Sequence, residues 1–160
     1  MNLGVLVGGN LGFIVLKHLF QSQNIKFVLT DKKSFLIIEF CKTNEIEIFI
    51  GNPRTRSASL FFLNYKIEVL ISINYLFLIE KDLIQLPSKI AFNIHGSLLP
   101  KYRGRTPHVW AIINNENQTG ITAHLIDENC DTGDIIEQVV VKIEKNDTGN
   151  DLLVKYTKLY

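Results

Sequence analysis

Short apolar runs alternate with longer amphipathic segments through the first half of the chain. In the longer segments apolar residues recur three or four positions apart, as Phe13, Leu16 and Phe20 do, and this is the spacing of one helix face. The alternation therefore predicts short strands that are each followed by a helix. The predicted strands are 3–7, 25–30, 46–50, 67–73 and 90–94, and the predicted helices are 11–21, 33–44, 57–64 and 80–86.

Strands and helices that alternate at this spacing indicate βαβ units, in which neighbouring strands are parallel. The stretch Val69-Leu70-Ile71 is continuously apolar, which is typical of a strand that is covered on both faces of the sheet. The crossover connections are expected to be right-handed. We therefore predict an α/β, Rossmann-like three-layer fold with a mostly parallel central sheet.

The second half of the chain has a different pattern. A helix is expected at 108–114, opened by Pro107, because proline suits the first helical position. The segments 121–126 and 134–143 alternate more strongly between apolar and polar residues, and a turn-like stretch separates them. This pattern predicts two further strands that extend the sheet and are antiparallel to each other.

The last segment of the chain carries side chains that can cap a helix. Thr148 and its neighbours can accept hydrogen bonds from the first N–H groups of a helix that begins at about Asp151. We expect this helix to continue to Tyr160. With 160 residues, no internal repeat and no linker, the chain 1–160 is predicted to be a single domain.

The composition of the chain mainly excludes classes of function. The formal net charge is +1, and the densest basic stretch contains only Lys101, Arg103 and Arg105, which is too short for a large RNA-binding surface. The longest apolar stretch, 69–79, is interrupted by polar residues and is far shorter than the roughly 20 residues of a spanning helix. The N-terminus lacks the pattern of a secretory signal. We expect a soluble cytoplasmic protein.

The two cysteines, Cys41 and Cys130, are too few for a disulfide framework. They suit a reducing compartment, and we interpret both as ordinary buried thiols.

Three glycines, Gly8, Gly9 and Gly12, lie between the first predicted strand and the first predicted helix. They match only the second half of a dinucleotide-binding fingerprint, and Asp31 lies about where a ribose-binding acid would follow. The simplest interpretation is a tight turn without a ligand. The alternative is a phosphate group of a nucleotide-linked substrate, bound by the free N–H groups of the helix N-terminus.

The predicted strand at 90–94 ends in polar side chains. Ligands of open α/β sheets bind beyond the carboxyl ends of the strands, and alternation along a strand places Asn93 and His95 on the same side. An amide and an imidazole could therefore contact one small group. Taken singly, Asn93 could instead cap a turn and His95 could be a satisfied core histidine.

A second polar loop, 127–134, carries four carboxylates in eight residues. Their positions do not follow the calcium-loop pattern. If Asp131 faces His95, its carboxylate would orient the imidazole, and an Asn, a His and an Asp on two adjacent loops would suit acyl or proton transfer. Taken alone, Asp131 could be an ordinary turn residue.

These motifs together resemble the folate-dependent formyltransferases, a family that includes methionyl-tRNA, glycinamide ribonucleotide and sugar N-formyltransferases. The resemblance rests on Asn93–Pro100 (N-x-H-x-S-L-L-P), on Arg103-Gly104 and on Asp131-Thr132-Gly133. The separation of 38 residues between Asn93 and Asp131 (131 − 93) makes the combination specific. The segment 101–110 is most similar to the sugar N-formyltransferases, which modify amino sugars attached to a nucleotide.

The resemblance implies a formyltransferase N-terminal domain, here shortened at its C-terminus, in which an acceptor amine attacks the formyl carbon of 10-formyltetrahydrofolate. Asn93 would donate a hydrogen bond to the tetrahedral oxyanion. His95 would be a second donor or the base, and Asp131 would fix its tautomer or relay the proton through water. No metal is implied.

The resemblance also implies two binding regions. The pterin would lie between the strip 74–79 and the loop 126–131, and the acceptor would contact the glycine turn and the basic loop. The implied folate-binding residues are Tyr75, Phe77, Ile79, Ile126 and Asp127, and the implied acceptor-binding residues are Gly9, Lys101, Tyr102, Arg103 and Gly104.

The leading hypothesis is formyl transfer to a nucleotide-linked amino sugar, with no membrane or nucleic-acid partner and with a homodimer if the natural chain is longer. One alternative keeps the chemistry but changes the acceptor to methionyl-tRNA or glycinamide ribonucleotide. Another is an inactive nucleotide-binding remnant that uses only the glycine turn.

Overall fold

The computed structural model describes residues 1–160 and forms two compact units, Met1–Phe92 and Asn93–Tyr160. The strands are β1 (Asn2–Val7), β2 (Asn24–Thr30), β3 (Ile48–Ile50), β4 (Val69–Ile73), β5 (Ile90–His95), β6 (Gln118–Leu125) and β7 (Ile135–Lys142). The helices are α1 (Gly9–Ser22), α2 (Phe35–Thr43), α3 (Arg56–Phe62), α4 (Lys81–Ile84), α5 (Pro107–Ile113) and α6 (Gly149–Thr157).

The first unit is built on parallel strands in the order β3-β2-β1-β4, and β5 begins beside β4. Strand β1 pairs with β2 and with β4, and β2 pairs with β3, in each case in parallel. Every residue of β4 is buried, as its apolar sequence predicts for a strand that is covered on both faces. The βαβ interpretation of the first half is confirmed.

The second unit contains the end of β5 followed by β6 and β7. Strands β6 and β7 are antiparallel, as predicted. Their core is a cluster of Ile121, Leu152 and Tyr156, and the Tyr156 hydroxyl lies 2.6 Å from the buried Thr119 hydroxyl. The α/β fold class with mostly parallel strand pairing is therefore confirmed, and β6 and β7 form an antiparallel pair.

The last helix differs most from its prediction. It begins at Gly149 and ends at Thr157, so the expected continuation to Tyr160 is wrong. The physical reason is that Tyr160 folds back onto the Ile121 cluster, where its hydroxyl lies 3.4 Å from the Ile94 carbonyl oxygen. Burial of this aromatic ring stabilises the folded chain more than one further helical turn would.

The structure confirms the other predicted elements. It shortens several of them by one or two residues at an end, most clearly β3 and α4, and it lengthens others, most clearly α1 and β6 at their starts. None of the helices combines the length and the apolar character that crossing a bilayer requires.

Replacement of Thr148 by alanine should lower the free energy of unfolding by about 1 kcal/mol, because it removes the N-cap of α6. In the capping box the Thr148 hydroxyl accepts the Asp151 N–H, and the Asp151 carboxylate accepts the Thr148 N–H at 2.8 Å. Urea denaturation measures the change. The matched control is Asn150→Ala at an exposed position of the same first turn, for which a loss of equal size would contradict the capping role.

Candidate active site

The end of strand β5 brings two predicted residues to one carboxylate. Asn93 Nδ2 lies 3.4 Å from Asp131 Oδ1, and His95 Nδ1 lies 3.4 Å from Asp131 Oδ2. His95 is buried, with 7% of its surface exposed. The alternation of the strand therefore places both side chains on the side of the acidic loop, and the three predicted residues form one cluster.

His124, near the end of β6, completes this cluster and was missed by the sequence analysis. Its side chain is 2% exposed, its Nε2 lies 3.0 Å from Asn93 Nδ2 and 3.5 Å from Asp131 Oδ1, and its Nδ1 lies 2.8 Å from the Leu125 carbonyl oxygen. The signal that could have identified it is a histidine in a strand that leads directly into the loop of Asp131.

The hydrogen bonds of His124 define its tautomer. The Leu125 carbonyl oxygen can only accept, so Nδ1 carries the proton and donates to it. In the neutral ring Nε2 is then an acceptor for the Asn93 amide N–H. His124 therefore fixes which way the Asn93 amide points. Throughout the chain, no group of three or more His, Cys, Asp and Glu side chains has a metal-binding arrangement.

Asp131 contacts more neighbouring groups than the other residues of the cluster. Its Oδ2 accepts the Gly104 N–H at 2.8 Å, and its backbone oxygen accepts Arg103 Nε at 2.9 Å. Burial by itself would raise the pKa of Asp131. Contacts with His124, the charge of His95 and the donors Gly104 and Cys130 outweigh burial and hold this pKa at about 2. The carboxylate is therefore ionised at neutral pH.

The D-x-G motif has a steric cause. A Cβ atom on Gly133 would lie 1.9 Å from the Leu125 carbonyl oxygen, closer than any side chain tolerates. Asp131 itself has a φ of 52°, in the left-handed region that aspartate visits more readily than most residues. Together these two positions turn the loop so that the Asp131 carboxylate faces β5.

Both ring nitrogens of His95 face acceptors. Nε2 lies 2.8 Å from the Tyr102 carbonyl oxygen, to which it donates, and Nδ1 faces the Asp131 carboxylate. An imidazolium satisfies both contacts, whereas a neutral ring with its proton on Nε2 presents a lone pair to the carboxylate. His95 would therefore have to leave one of these partners before it could accept a proton from a substrate.

The loop after His95 is held by a buried polar network. Thr122 Oγ1 donates to the Ser97 carbonyl oxygen at 2.6 Å and accepts the Leu99 N–H at 3.1 Å, and Gln138 Nε2 donates to the same hydroxyl at 2.9 Å. Ser97 and Thr122 are both completely buried. Because each group has partners, the network rigidifies the loop rather than destabilising the core.

The predicted acceptor-binding residues of the basic loop divide into two pairs. Lys101 Nζ and the Tyr102 hydroxyl both contact Glu116, at 2.9 and 2.7 Å. Arg103 and Gly104 instead contact Asp131. Only the second pair therefore touches the cluster through its own donor groups, while Tyr102 reaches it through its carbonyl oxygen.

In the first unit, the side chains of Ser34 and Asp31 form hydrogen bonds at the glycine turn, which contains Gly8, Gly9 and Gly12. The Gly9 N–H donates to Ser34 Oγ at 2.9 Å, and Ser34 Oγ donates to Asp31 Oδ2 at 2.6 Å. Asp31 also accepts the Lys33 N–H at 2.7 Å, so it orders the turn that leads into α2. A phosphate at Gly9 would have to displace Ser34 and approach the Asp31 carboxylate.

The predicted folate-binding residues are distributed over both units. In the first unit Tyr75 and Phe77 pack edge to face at 5.6 Å between ring centroids, Ile79 is half-buried, and the buried Tyr75 hydroxyl has no hydrogen-bond partner. In the second unit Ile126 is half-buried, and Asp127 accepts the Thr132 hydroxyl at 2.7 Å. Their common pocket stays a prediction.

The cysteines have different environments. Cys41 is completely buried, and burial raises its pKa to about 12. Cys130 is exposed, so its interpretation as a buried thiol is wrong. The reason is its place on the tip of the acidic loop, where its thiol lies 3.4 Å from Asp131 Oδ2.

Replacement of Asp131 by asparagine should change how stability depends on pH. A carboxylate whose pKa falls from 3.8 unfolded to about 2 folded contributes about 2 kcal/mol of stability above pH 4, and this contribution disappears as the pH falls towards 2. Urea denaturation should therefore show a difference between wild type and variant that shrinks over this range. The control is Asp134→Asn, an exposed carboxylate of the same loop, and a difference for Asp131→Asn that does not vary with pH would contradict the assignment.

Replacement of Gly133 by alanine should disrupt the same loop without removing any polar group, because the added methyl group collides with the Leu125 carbonyl oxygen. We expect a loss of stability of about 2 kcal/mol or more, as for other steric changes in tight backbone positions. Gly104→Ala is a useful comparison, since a Cβ there meets no atom within 4 Å and only its φ of 88° is strained. A larger effect at Gly104 than at Gly133 would contradict this explanation.

Solved structures match nearly the whole chain. Phosphoribosylglycinamide formyltransferase from Bacillus halodurans is 27% identical, with a TM-score of 0.83 over 99% of this chain and 89% of that one. An N-formyltransferase from Helicobacter canadensis, in complex with folinic acid and dTDP-3-aminofucose, is 26% identical, with a TM-score of 0.78 over 98% and 58%. The sugar 3N-formyltransferase WlaRD, solved with dTDP and 5-N-formyl-THF, has the same identity and TM-score and is covered over 58%.

Two curated relatives are similar over part of their length. The bifunctional polymyxin resistance protein ArnA of Wigglesworthia glossinidia brevipalpis is 40% identical over 97 residues, which are 59% of this chain and 15% of that protein. Methionyl-tRNA formyltransferase of Agathobacter rectalis is 33% identical over 118 residues, which are 73% of this chain and 38% of that protein. The chain thus spans well under half of either relative.

The family comparison covers the segment that carries the cluster. The family described as formyl transferase matches residues 51–159, which include Asn93, His95, His124 and Asp131. With the fold, the geometry of these four side chains and the similarity to solved formyltransferases, this match shows that the chain belongs to the formyl transferase family.

Proposed function

We propose that this chain transfers a formyl group from 10-formyltetrahydrofolate to the amine of a nucleotide-linked amino sugar. The observation that carries the proposal is the cluster of Asn93 and the buried His95 and His124 around the ionised Asp131 carboxylate. It combines a neutral amide donor, two imidazoles and a fixed negative charge. These are the groups that an acyl transfer between nitrogen atoms requires.

In this reaction the acceptor nitrogen attacks the formyl carbon, a new C–N bond forms and the bond from the formyl carbon to N10 of the folate breaks. The acceptor nitrogen loses one proton and the leaving N10 gains one, so that the products are a formamide and tetrahydrofolate. Negative charge develops on the formyl oxygen before the N10 bond breaks. The Asn93 amide N–H is the donor for that oxygen, and one such preorganised donor is typically worth about 3 kcal/mol in the transition state.

The hydrogen bonds of Asn93 and His95 determine what has to change when substrates bind. The Asn93 amide donates to His124 and approaches Asp131, and His95 donates to the Tyr102 carbonyl oxygen. Because these donors are already satisfied, substrate binding has to turn at least one of them towards the formyl group. Hydrogen bonds of catalytic groups often rearrange in this way when the substrate complex forms.

For the formyl donor, we propose that the strip 74–79 of the first unit supplies a binding surface for the pterin, and that the loop 126–131 of the second unit supplies another. The buried Tyr75 hydroxyl without a partner is suited to a polar group of the pterin, and burial raises the pKa of this phenol further above its ordinary value. It therefore remains protonated and able to donate. Phe77 and Ile79 supply the apolar surface that such a fused ring prefers.

A nucleotide-linked amino sugar is favoured as the acceptor by two observations. The segment 101–110 is most similar to sugar N-formyltransferases, and two solved neighbours were crystallised with dTDP or a dTDP-linked amino sugar. A net charge of +1 disfavours tRNA, whose binding depends on many phosphate contacts. The competing acceptor is glycinamide ribonucleotide, since a phosphoribosylglycinamide formyltransferase matches the fold with a TM-score of 0.83, against 0.78 for the two sugar N-formyltransferases.

The proposal predicts that the purified chain adds one formyl group to an amino sugar in the presence of 10-formyltetrahydrofolate, as detected by mass spectrometry. The acceptor panel should contain nucleotide-linked amino sugars, glycinamide ribonucleotide and methionyl-tRNA. His95→Ala and Asn93→Ala should each lower the rate by 100-fold or more, since both remove groups at the reacting centre. Glu144→Gln, which changes an exposed ion pair with Lys142, is the control for surface effects.

The acceptor panel distinguishes the proposed function from its alternatives. A product with an amino sugar, lost in His95→Ala, supports the proposal, and a product with another acceptor replaces its substrate while keeping its chemistry. Folate binding without any product would mean that the acceptor site needs more than this chain. The absence of folate binding would overturn the proposal.

A further inference from the structure

Glu116 lies outside the cluster but is connected to His95 by a short chain of contacts. Its Oε1 accepts the Tyr102 hydroxyl at 2.7 Å and Lys101 Nζ at 2.9 Å. The carbonyl oxygen of Tyr102 in turn accepts His95 Nε2 at 2.8 Å. A carboxylate in the segment between α5 and β6 therefore holds, through one residue, the group that orients the buried imidazole.

The backbone of Tyr102 depends on such contacts. Its φ is 56°, in the left-handed region that a bulky side chain adopts only when its surroundings impose it. On its N-terminal side the Ser97 hydroxyl donates to the Lys101 carbonyl oxygen at 2.6 Å. Glu116 fixes the side-chain end of the same segment. Without it, the strained conformation loses a restraint and the Tyr102 carbonyl oxygen is free to move.

Packing against neighbouring residues does not hold the Tyr102 side chain in the way that its hydrogen bond to Glu116 does. A cavity of about 250 Å³ lies beside the phenol and is lined by the loop Leu98–Tyr102, by Glu116 and by Gln118 and Thr119. Side chains therefore do not fill the space next to this segment. The hydrogen bond to Glu116, rather than close contact with neighbouring atoms, therefore selects the position of the Tyr102 side chain.

Near neutral pH, the hydrogen bond between Tyr102 and Glu116 stays in one protonation state. Hydrogen bonds from Lys101 and Tyr102 lower the pKa of Glu116, and the bond to Glu116 raises the pKa of Tyr102. Glu116 is consequently an acceptor and Tyr102 a donor at the same time. The ion pair with Lys101 alone is exposed and would contribute little to stability, so the arrangement is better explained by what it positions.

We propose that Glu116 is a positioning residue for His95, which acts through the Tyr102 hydroxyl to fix the carbonyl oxygen that accepts His95 Nε2. The kinetic part of this proposal rests on the proposed formyl transfer. The positioning itself does not, since it concerns the orientation and protonation of one imidazole in the protein without substrates.

The test combines Tyr102→Phe and Glu116→Ala with the conservative Glu116→Gln. In the chain labelled with ¹⁵N at histidine, NMR should show the His95 Nε2 protonated and hydrogen-bonded in the wild type. We expect a mixture of ring states in Tyr102→Phe and Glu116→Ala, with partial recovery in Glu116→Gln, whose amide oxygen can still accept. With substrates, kcat should fall about 10-fold in the two disruptive variants while KM changes less than twofold, as for a misplaced catalytic group.

Glu144→Gln, which alters the exposed Lys142 pair, should change neither the His95 spectrum nor kcat. Unchanged His95 signals in folded Tyr102→Phe would overturn the proposal, and this variant keeps the test decisive if Glu116→Ala fails to fold. Altered His95 signals in a chain that forms no product with any acceptor would support the positioning and contradict only the proposed function. A fall in kcat in all variants, the control included, would count against a specific role of Glu116.

Discussion

The second unit is organised around the buried negative charge of Asp131. A carboxylate removed from water destabilises a protein by several kcal/mol unless donors replace the water. Here the donors come from several segments: the Gly104 N–H, the Cys130 thiol and the side chains of Asn93 and His95 surround its two oxygens. The ends of β5 and β6 and the loops that follow them are therefore fixed with respect to one another by one ion.

This requirement explains features that look unrelated in the sequence. Gly133 has no side chain because any Cβ would strike the Leu125 carbonyl oxygen, and Asp131 and Tyr102 adopt positive φ angles because the loops must present particular atoms to the cluster. Such strained backbone positions persist only where the surrounding contacts determine them. In this chain they occur where the chemistry of a formyl transferase family member would take place.

The polar side chains of the cluster contact one another. Asn93 is turned by His124, and His95 is held between Asp131 and the Tyr102 carbonyl oxygen. What distinguishes one acceptor from another must then lie in groups around the cluster, and relatives with different acceptors share the fold.

The sequence alone determined the α/β class and the order of the elements, and it predicted that Asn93, His95 and Asp131 belong to one cluster. Local periodicity and one specific motif combination carry that information. It did not reveal His124, whose importance depends on β6 lying beside β5, or the exposure of Cys130 and the fold-back of Tyr160, which depend on packing between distant segments. The partners of Lys101 and Tyr102 were also decided by tertiary structure, because a charged loop residue takes whichever opposite charge the fold brings near, and here that residue is Glu116.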